Sequence, residues 1–166
     1  IGADEFSTPS ATPPNASFDY APGSGIVSTY SLWGRTLAVV SWGSGGSSYP
    51  SALKVKYYSG VSPGNTLGGG FANSYWNISP TGTLTGANYD ILLNFGDNET
   101  FSIGTPSSNT RLAKYDGTWE VFPSGTGNWQ TQLIWNGSTF SYSVYVPFVD
   151  RFSDFTLTDG SNPLPV

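Results

Sequence analysis

A chain of 166 residues without a single Cys, Met or His carries 21 Gly, 12 Pro and 16% aromatic residues, while Asp, Glu, Lys and Arg together make up only 10%. The missing residue types exclude disulfides, thiolate chemistry, imidazole ligation of metals and a serine triad of the usual kind. A net charge of −5, with six basic residues scattered as Arg35, Lys54, Lys56, Arg111, Lys114 and Arg151, argues against nucleic acid as a partner, because phosphate binding needs a clustered basic face.

This length fits one domain able to bury roughly 70% of its unfolded surface, so a full core needs neither metal nor disulfide. No apolar run approaches the roughly 20 residues that span a bilayer. The first residues, Ile-Gly-Ala-Asp-Glu-Phe, have neither a basic nor an apolar leader region, so a signal peptide is expected to have been removed already. Poverty in Lys and Glu with abundant Ser, Thr, Asn, Gly and Tyr predicts an extracellular setting.

In chain order, residues 1–17 come first, and 7–17 of these are rich in Pro, Ser and Thr. Prolines lack the donors of a central strand ladder, so an extended N-terminal arm is expected. Strand-like runs follow at 26–32 and 36–42, where Leu37, Val39 and Ser41 oppose Ala38, Val40 and Trp42. Residues 43–50, Gly-Ser-Gly-Gly-Ser-Ser-Tyr-Pro, form a loop. The run 52–59 alternates cleanly, with Leu53, Val55 and Tyr57 on one face and Lys54, Lys56 and Tyr58 on the other.

Residues 71–78 make the next run, in which Tyr75, Trp76 and Ile78 supply large apolar groups before a turn expected at Ser79-Pro80-Thr81-Gly82. Residues 89–95 place Ile91, Leu93 and Phe95 on one side. The runs 111–115 and 118–122 flank Asp116-Gly117, a two-residue type I′ hairpin signal, with Trp119 and Val121 inward. The runs 129–135 and 139–146 flank Asn136-Gly137, a second such signal, and Phe140, Tyr142, Val144 and Val146 share a face. A last run, 152–157, leads to Asn-Pro-Leu-Pro-Val.

About ten strands and no helix predict an all-β fold, a two-sheet antiparallel β-sandwich of immunoglobulin-like or jelly-roll-like kind. The expected organisation is an arm at 1–17, a sandwich at 18–160 and a linker at 161–166. Trp76, Ile78, Ile91, Leu93, Trp119, Phe140, Val144 and Phe155 are the expected core.

The succession Tyr75-Trp76-Asn77-Ile78-Ser79, Arg111-Leu112-Ala113-Lys114-Tyr115-Asp116-Gly117-Thr118-Trp119 and Arg151-Phe152-Ser153-Asp154-Phe155-Thr156-Leu157, closing in Asn162-Pro163-Leu164-Pro165-Val166, resembles a β-sandwich module of bacterial surface proteins. In that family the module precedes the C-terminal sorting domain of the type IX secretion system. The resemblance covers roughly residues 70–166, and a sorting domain, expected to be cleaved on export or to lie outside these residues, is not among the 166. It implies export across the outer membrane of a Gram-negative, Bacteroidetes-type bacterium and a location at the cell surface or outside the cell. It implies no catalytic residues.

Paired carboxylates could do acid–base work at about 5–9 Å separation. The nearest pairs in sequence are Asp97 with Glu99 and Asp116 with Glu120, the latter explained by a hairpin and an outward strand position. Calcium could use Asp97, Asn98 and Glu99, or Asp150 and Asp154, but no spaced loop of the EF-hand type is present, and no cofactor is expected. Trp42, Tyr49, Tyr58, Trp129 and Tyr145 fall near loops or opposite the expected core, where they could stack on sugar rings or bury area at an interface. Four Asn-X-Ser/Thr triplets receive no function. The reading that follows is a non-catalytic secreted surface protein, structural or adhesive, including the form of a self-assembling filament subunit joined through its arm. Its partners would be copies of itself or other surface proteins, with no membrane span. The alternative is a carbohydrate-binding module of a larger secreted enzyme, with polysaccharide as partner.

Overall fold

The structure, a computed structural model, describes residues 25, 27–32, 35–59, 63–64, 70–95, 103, 107–135 and 142–159. Within them lie ten strands: β1 (Val27–Leu32), β2 (Arg35–Trp42), β3 (Ala52–Ser59), β4 (Ser74–Thr81), β5 (Tyr89–Phe95), β6 (Arg111–Tyr115), β7 (Trp119–Val121), β8 (Gln132–Trp135), β9 (Tyr142–Val149) and β10 (Asp154–Thr158). They form two five-stranded sheets, in the order β1-β2-β5-β9-β8 and β3-β4-β10-β6-β7. Every strand pairing in these sheets is antiparallel. The predicted β-sandwich is the observed architecture. The arm at 1–17, the linker at 161–166 and the Asn136-Gly137 turn lie outside the described residues.

Four pairs of consecutive strands stay together, β1β2, β3β4, β6β7 and β8β9, while β5 and β10 stand alone in the chain. Each single strand is wedged between two pairs: β5 between β2 and β9, β10 between β4 and β6. The chain therefore crosses repeatedly from sheet to sheet, and each sheet is closed by a strand that arrives late in sequence. The immunoglobulin arrangement shares the run of first, second and fifth strands, but not the insertion of the tenth between the fourth and sixth.

One core fills the space between the sheets. From the first sheet come Ala38, Val40, Trp42, Tyr89, Ile91, Leu93, Phe95, Val144, Val146 and Val149, and from the second Leu53, Val55, Tyr57, Trp76, Ile78, Leu112, Phe155 and Leu157. Trp76 joins the two layers: it stacks on Tyr57 of its own sheet at 4.2 Å and meets Phe95 of the opposite sheet edge-on at 6.1 Å. Such aromatic pairs add about 0.5–1.5 kcal/mol each to their area burial. The indole Nε1 of Trp76 is buried and finds no acceptor among the described residues.

Three local expectations are corrected. The strand β4 does not turn at Ser79-Pro80 but runs through Thr81, with Pro80 opposite Leu53 of β3, and the turn falls at Gly82, whose φ of 95° suits only Gly well. Proline is tolerated because Ile78 N–H already points toward β10, donating to Ser153 O at 3.0 Å. Two residues on, the missing N–H of Pro80 faces the same side beyond the end of the β10 ladder, where no strand needs a donor. At the β6–β7 connection the last pair is Tyr115↔Trp119, leaving a three-residue loop in which only Gly117 has positive φ, rather than a type I′ turn with two such residues. Finally, a bulge between Tyr30 and Ser31 of β1 and across from Leu37 of β2 breaks the alternation there, so Leu37 and Ala38 are both buried.

Trp119 needs a fourth correction. It is buried, but in a separate cluster with Phe71 and Ala113 on the outer side of the second sheet, not between the sheets. Its pairing through Tyr115 with Asp154 and Asn77 puts it on the face opposite Trp76 and Phe155.

Candidate functional site

The aromatic residues singled out in sequence do not converge. Trp42, expected near the surface, is buried: β2 delivers it inward beside Tyr89 and Phe152, with ring centroids at 5.7 and 5.8 Å, and its indole N–H donates to Ser28 Oγ at 3.2 Å. Tyr49 is half-buried and its hydroxyl ties the Gly-rich loop, donating to Gly43 O at 2.6 Å and accepting from Gly46 N–H at 3.1 Å. That loop is further pinned to residues 85–88, with Gly43 N–H donating to Asn88 O and Ser47 N–H to Thr85 O. Gly43 is required there, because a Cβ would sit 2.7 Å from Asn88 O.

Tyr58 lies flat against Tyr75 at 4.4 Å on the outer face of the second sheet, a cross-strand pair of β3 and β4. Trp129 belongs to a turn rather than to the expected strand. It has φ of 62°, packs on Phe122 at 5.9 Å and donates its N–H to Pro147 O at 3.0 Å. Tyr145 is on the outer face of the first sheet, its hydroxyl donating to Asp90 Oδ2 at 2.6 Å. Burial first, and then the Asp90 carboxylate, push its pKa up to about 12. Of the remaining core residues named from sequence, Trp76, Ile78, Ile91, Leu93, Val144 and Phe155 sit between the sheets, and Phe140 lies outside the described residues.

The charged residues around the β6–β7 connection form a structural network. Lys114 is fully buried on the inner side of β6, where Nζ meets Asp116 Oδ2 at 2.8 Å and Glu120 Oε2 at 3.6 Å. Arg151 reaches the same Asp116 oxygen at 3.5 Å. The hydrogen bond from Lys114 above all, aided by Arg151, holds the Asp116 carboxyl below its ordinary range. The Asp116 and Glu120 pair thus shares one ammonium group, an arrangement that offsets a buried charge instead of poising a proton donor. Asp97 and Glu99 lie outside the described residues. Asp150 sits 3.9 Å from Arg151 Nε, and Asp154 accepts from Asn77 Nδ2 at 2.6 Å. Among the described residues no group of three or more carboxylates is placed to hold a metal ion, and no helix is long and apolar enough to cross a membrane.

What the fold leaves over is a surface that sequence reasoning missed. The register Thr29↔Val39↔Leu92↔Tyr145↔Gln132 runs across all five strands of the first sheet on its outer side. Flanking rows add Val27, Ser41 and Asp90 on one side and Asn94, Ser143 and Ile134 on the other. Val27 is 58% exposed and Ile134 42%. Phe148, 48% exposed, projects from a bulge in β9 where two residues, Pro147 and Phe148, stand opposite Asp90. The single carboxylate, Asp90, is occupied by Tyr145 OH and by Phe148 N–H at 3.1 Å. The outer face of the second sheet differs: Lys54, Lys56, Asp154 and Arg111 are among its residues. The signal for this asymmetry was present in sequence as the near absence of charge from β1, β2, β5, β8 and β9.

Compared with models of protein families, with curated proteins and with solved structures, the chain finds no match.

Proposed function

We propose that this protein is a non-catalytic surface domain, exported from a Gram-negative bacterium, with a structural or adhesive role. The observation that carries the reading is the partly apolar outer face of the β1-β2-β5-β9-β8 sheet, where Asp90, the one charge among the described side chains, is already held by Tyr145 and Phe148. Contiguous apolar surface on a folded domain marks an interaction site more often than a reaction site. The resemblance to modules of type IX-secreted surface proteins points the same way. As a filament subunit the protein would engage its neighbour through the Pro-rich arm, laid along an exposed sheet edge. Electron micrographs of the purified chain test this: fibres are expected, and deletion of residues 1–17 abolishes them. Fibres unchanged by that deletion would remove the arm from the assembly.

A second reading, a carbohydrate-binding module, is favoured by one observation, the 71% exposure of Trp135 at the end of the edge strand β8. An open indole is a surface on which a sugar ring can stack. Saturable binding in a polysaccharide pull-down, lost in Trp135→Ala, would establish it.

A further inference from the structure

We propose that the outer face of the β1-β2-β5-β9-β8 sheet is the contact between two copies of this chain, packed face to face. The inference rests on the structural reading above and names the surface and the occupant. Three observations lead to a second copy rather than to another ligand.

The first is electrostatic. The chain carries a net charge of −5, so two copies repel through most orientations. Among the described side chains of this face the only charge is Asp90, and both its oxygens already accept hydrogen bonds from Tyr145 and Phe148. A face without free charge meets its own copy without bringing like charges together, which is what a two-fold interface requires, since each residue there is offered twice.

The second is chemical. Val27, Val39, Leu92 and Ile134 are aliphatic, and among the polar groups beside them Asn94 donates to Thr36 O at 2.7 Å and accepts from Ser143 Oγ, while the Tyr145 hydroxyl donates to Asp90. A sugar needs free donors and acceptors beside an aromatic platform. Another apolar sheet needs only area.

The third is size. Five strands about 4.8 Å apart and about seven residues long make a face of about 24 by 24 Å, or about 1,150 Å² over two copies, close to the roughly 1,200 Å² at which specific interfaces begin. Sheets pack face to face at about 10 Å, so the pair would form a four-layered stack with Leu92 and Val39 near its centre.

Sedimentation velocity on the 166-residue chain, from about 1 to about 200 μM, tests the proposal across the range in which an interface of this modest size dissociates. The wild type is expected to pass from monomer to dimer across this range. Ile134→Lys, at an exposed site, and Leu92→Lys are each expected to raise the dissociation constant at least about tenfold, since the charge would be buried against its own copy. Their thermal midpoints should stay near wild type, because neither side chain enters the core; if Leu92→Lys fails to fold, Ile134→Lys carries the test. Mixing Leu92→Lys with Leu92→Glu should restore a dimer. A wild type that remains monomeric at the highest concentration overturns the proposal, as does a dimer indifferent to both charged variants or one lost only on deleting residues 1–17. Micrographs of the same samples report on the structural reading separately: fibres that form equally well from wild type and variants leave that reading standing and overturn face pairing.

Discussion

Trp76 shows how much one residue can settle. Buried on β4, it stacks on Tyr57 and meets Phe95 across the sandwich, yet its indole N–H has no acceptor among the described residues. An unsatisfied buried donor costs about 1–3 kcal/mol, while truncating a buried Trp to Ala costs about 3–5 kcal/mol. Trp76→Phe removes the donor along with part of the ring, so its cost is expected below about 2 kcal/mol, against about 3–5 kcal/mol for Trp76→Ala. Urea unfolding followed by circular dichroism measures both. Equal losses would mean that the N–H is satisfied.

Tyr145 makes a pH-dependent prediction at the same scale. Its folded pKa of about 12 lies above the ordinary 10.0, so the folded state holds this proton more tightly than the unfolded chain does. The stability it contributes is therefore complete below pH 10 and lost as the pH rises from there toward 12. Alkaline unfolding of Tyr145→Phe should show a shallower decline over that window than wild type, with a loss of about 1 kcal/mol at neutral pH from the missing bond to Asp90.

At the scale of the element, the bulges decide where side chains go. Period-two alternation would send Leu37 outward, but the bulge of β1 and β2 turns it in beside Ala38. In β9 a bulge lifts Phe148 out with φ of 63°, a conformation costly for a bulky residue, held by Asp90 on its N–H and Asn88 Nδ2 on its carbonyl at 3.2 Å. Phe148→Gly should accordingly be neutral or stabilising by up to about 1 kcal/mol, whereas β-branched Phe148→Val should destabilise by about 1–2 kcal/mol. Thermal melts of the two variants check this order, and Val melting above Gly would contradict it.

For the whole molecule, the relevant fact is that one core serves both sheets and that the chain threads from one to the other repeatedly. Neither sheet can keep its inner face dry without the other. Unfolding should thus be a single transition in which far-ultraviolet circular dichroism and tryptophan fluorescence coincide, and refolding, dominated by non-local pairings such as β4 with β10, should take milliseconds to seconds. Two resolved transitions would show that the sheets unfold separately.

The number of strands, their approximate positions and the sandwich class were legible from the sequence, because alternation of apolar and polar residues reports directly which face of a strand is buried. The inward positions of Val55, Tyr57, Ile91 and Leu93 follow from that rule alone. Strand order did not follow from it, since any two half-buried strands satisfy alternation equally well, and only the packed sandwich selects β10 as the partner of both β4 and β6. Nor could alternation tell the inside of a sandwich from an outer face that happens to be apolar. Sequence alone puts Trp42 and Trp119 on the wrong sides for that reason, and the outer surface around Leu92, with Asp90 as the one charge among its described side chains, becomes visible only once the register lines up residues distant in sequence. Local chemistry determined that this chain is a β-sandwich; long-range pairing decided which of its apolar residues hold it together and which are left to meet something else.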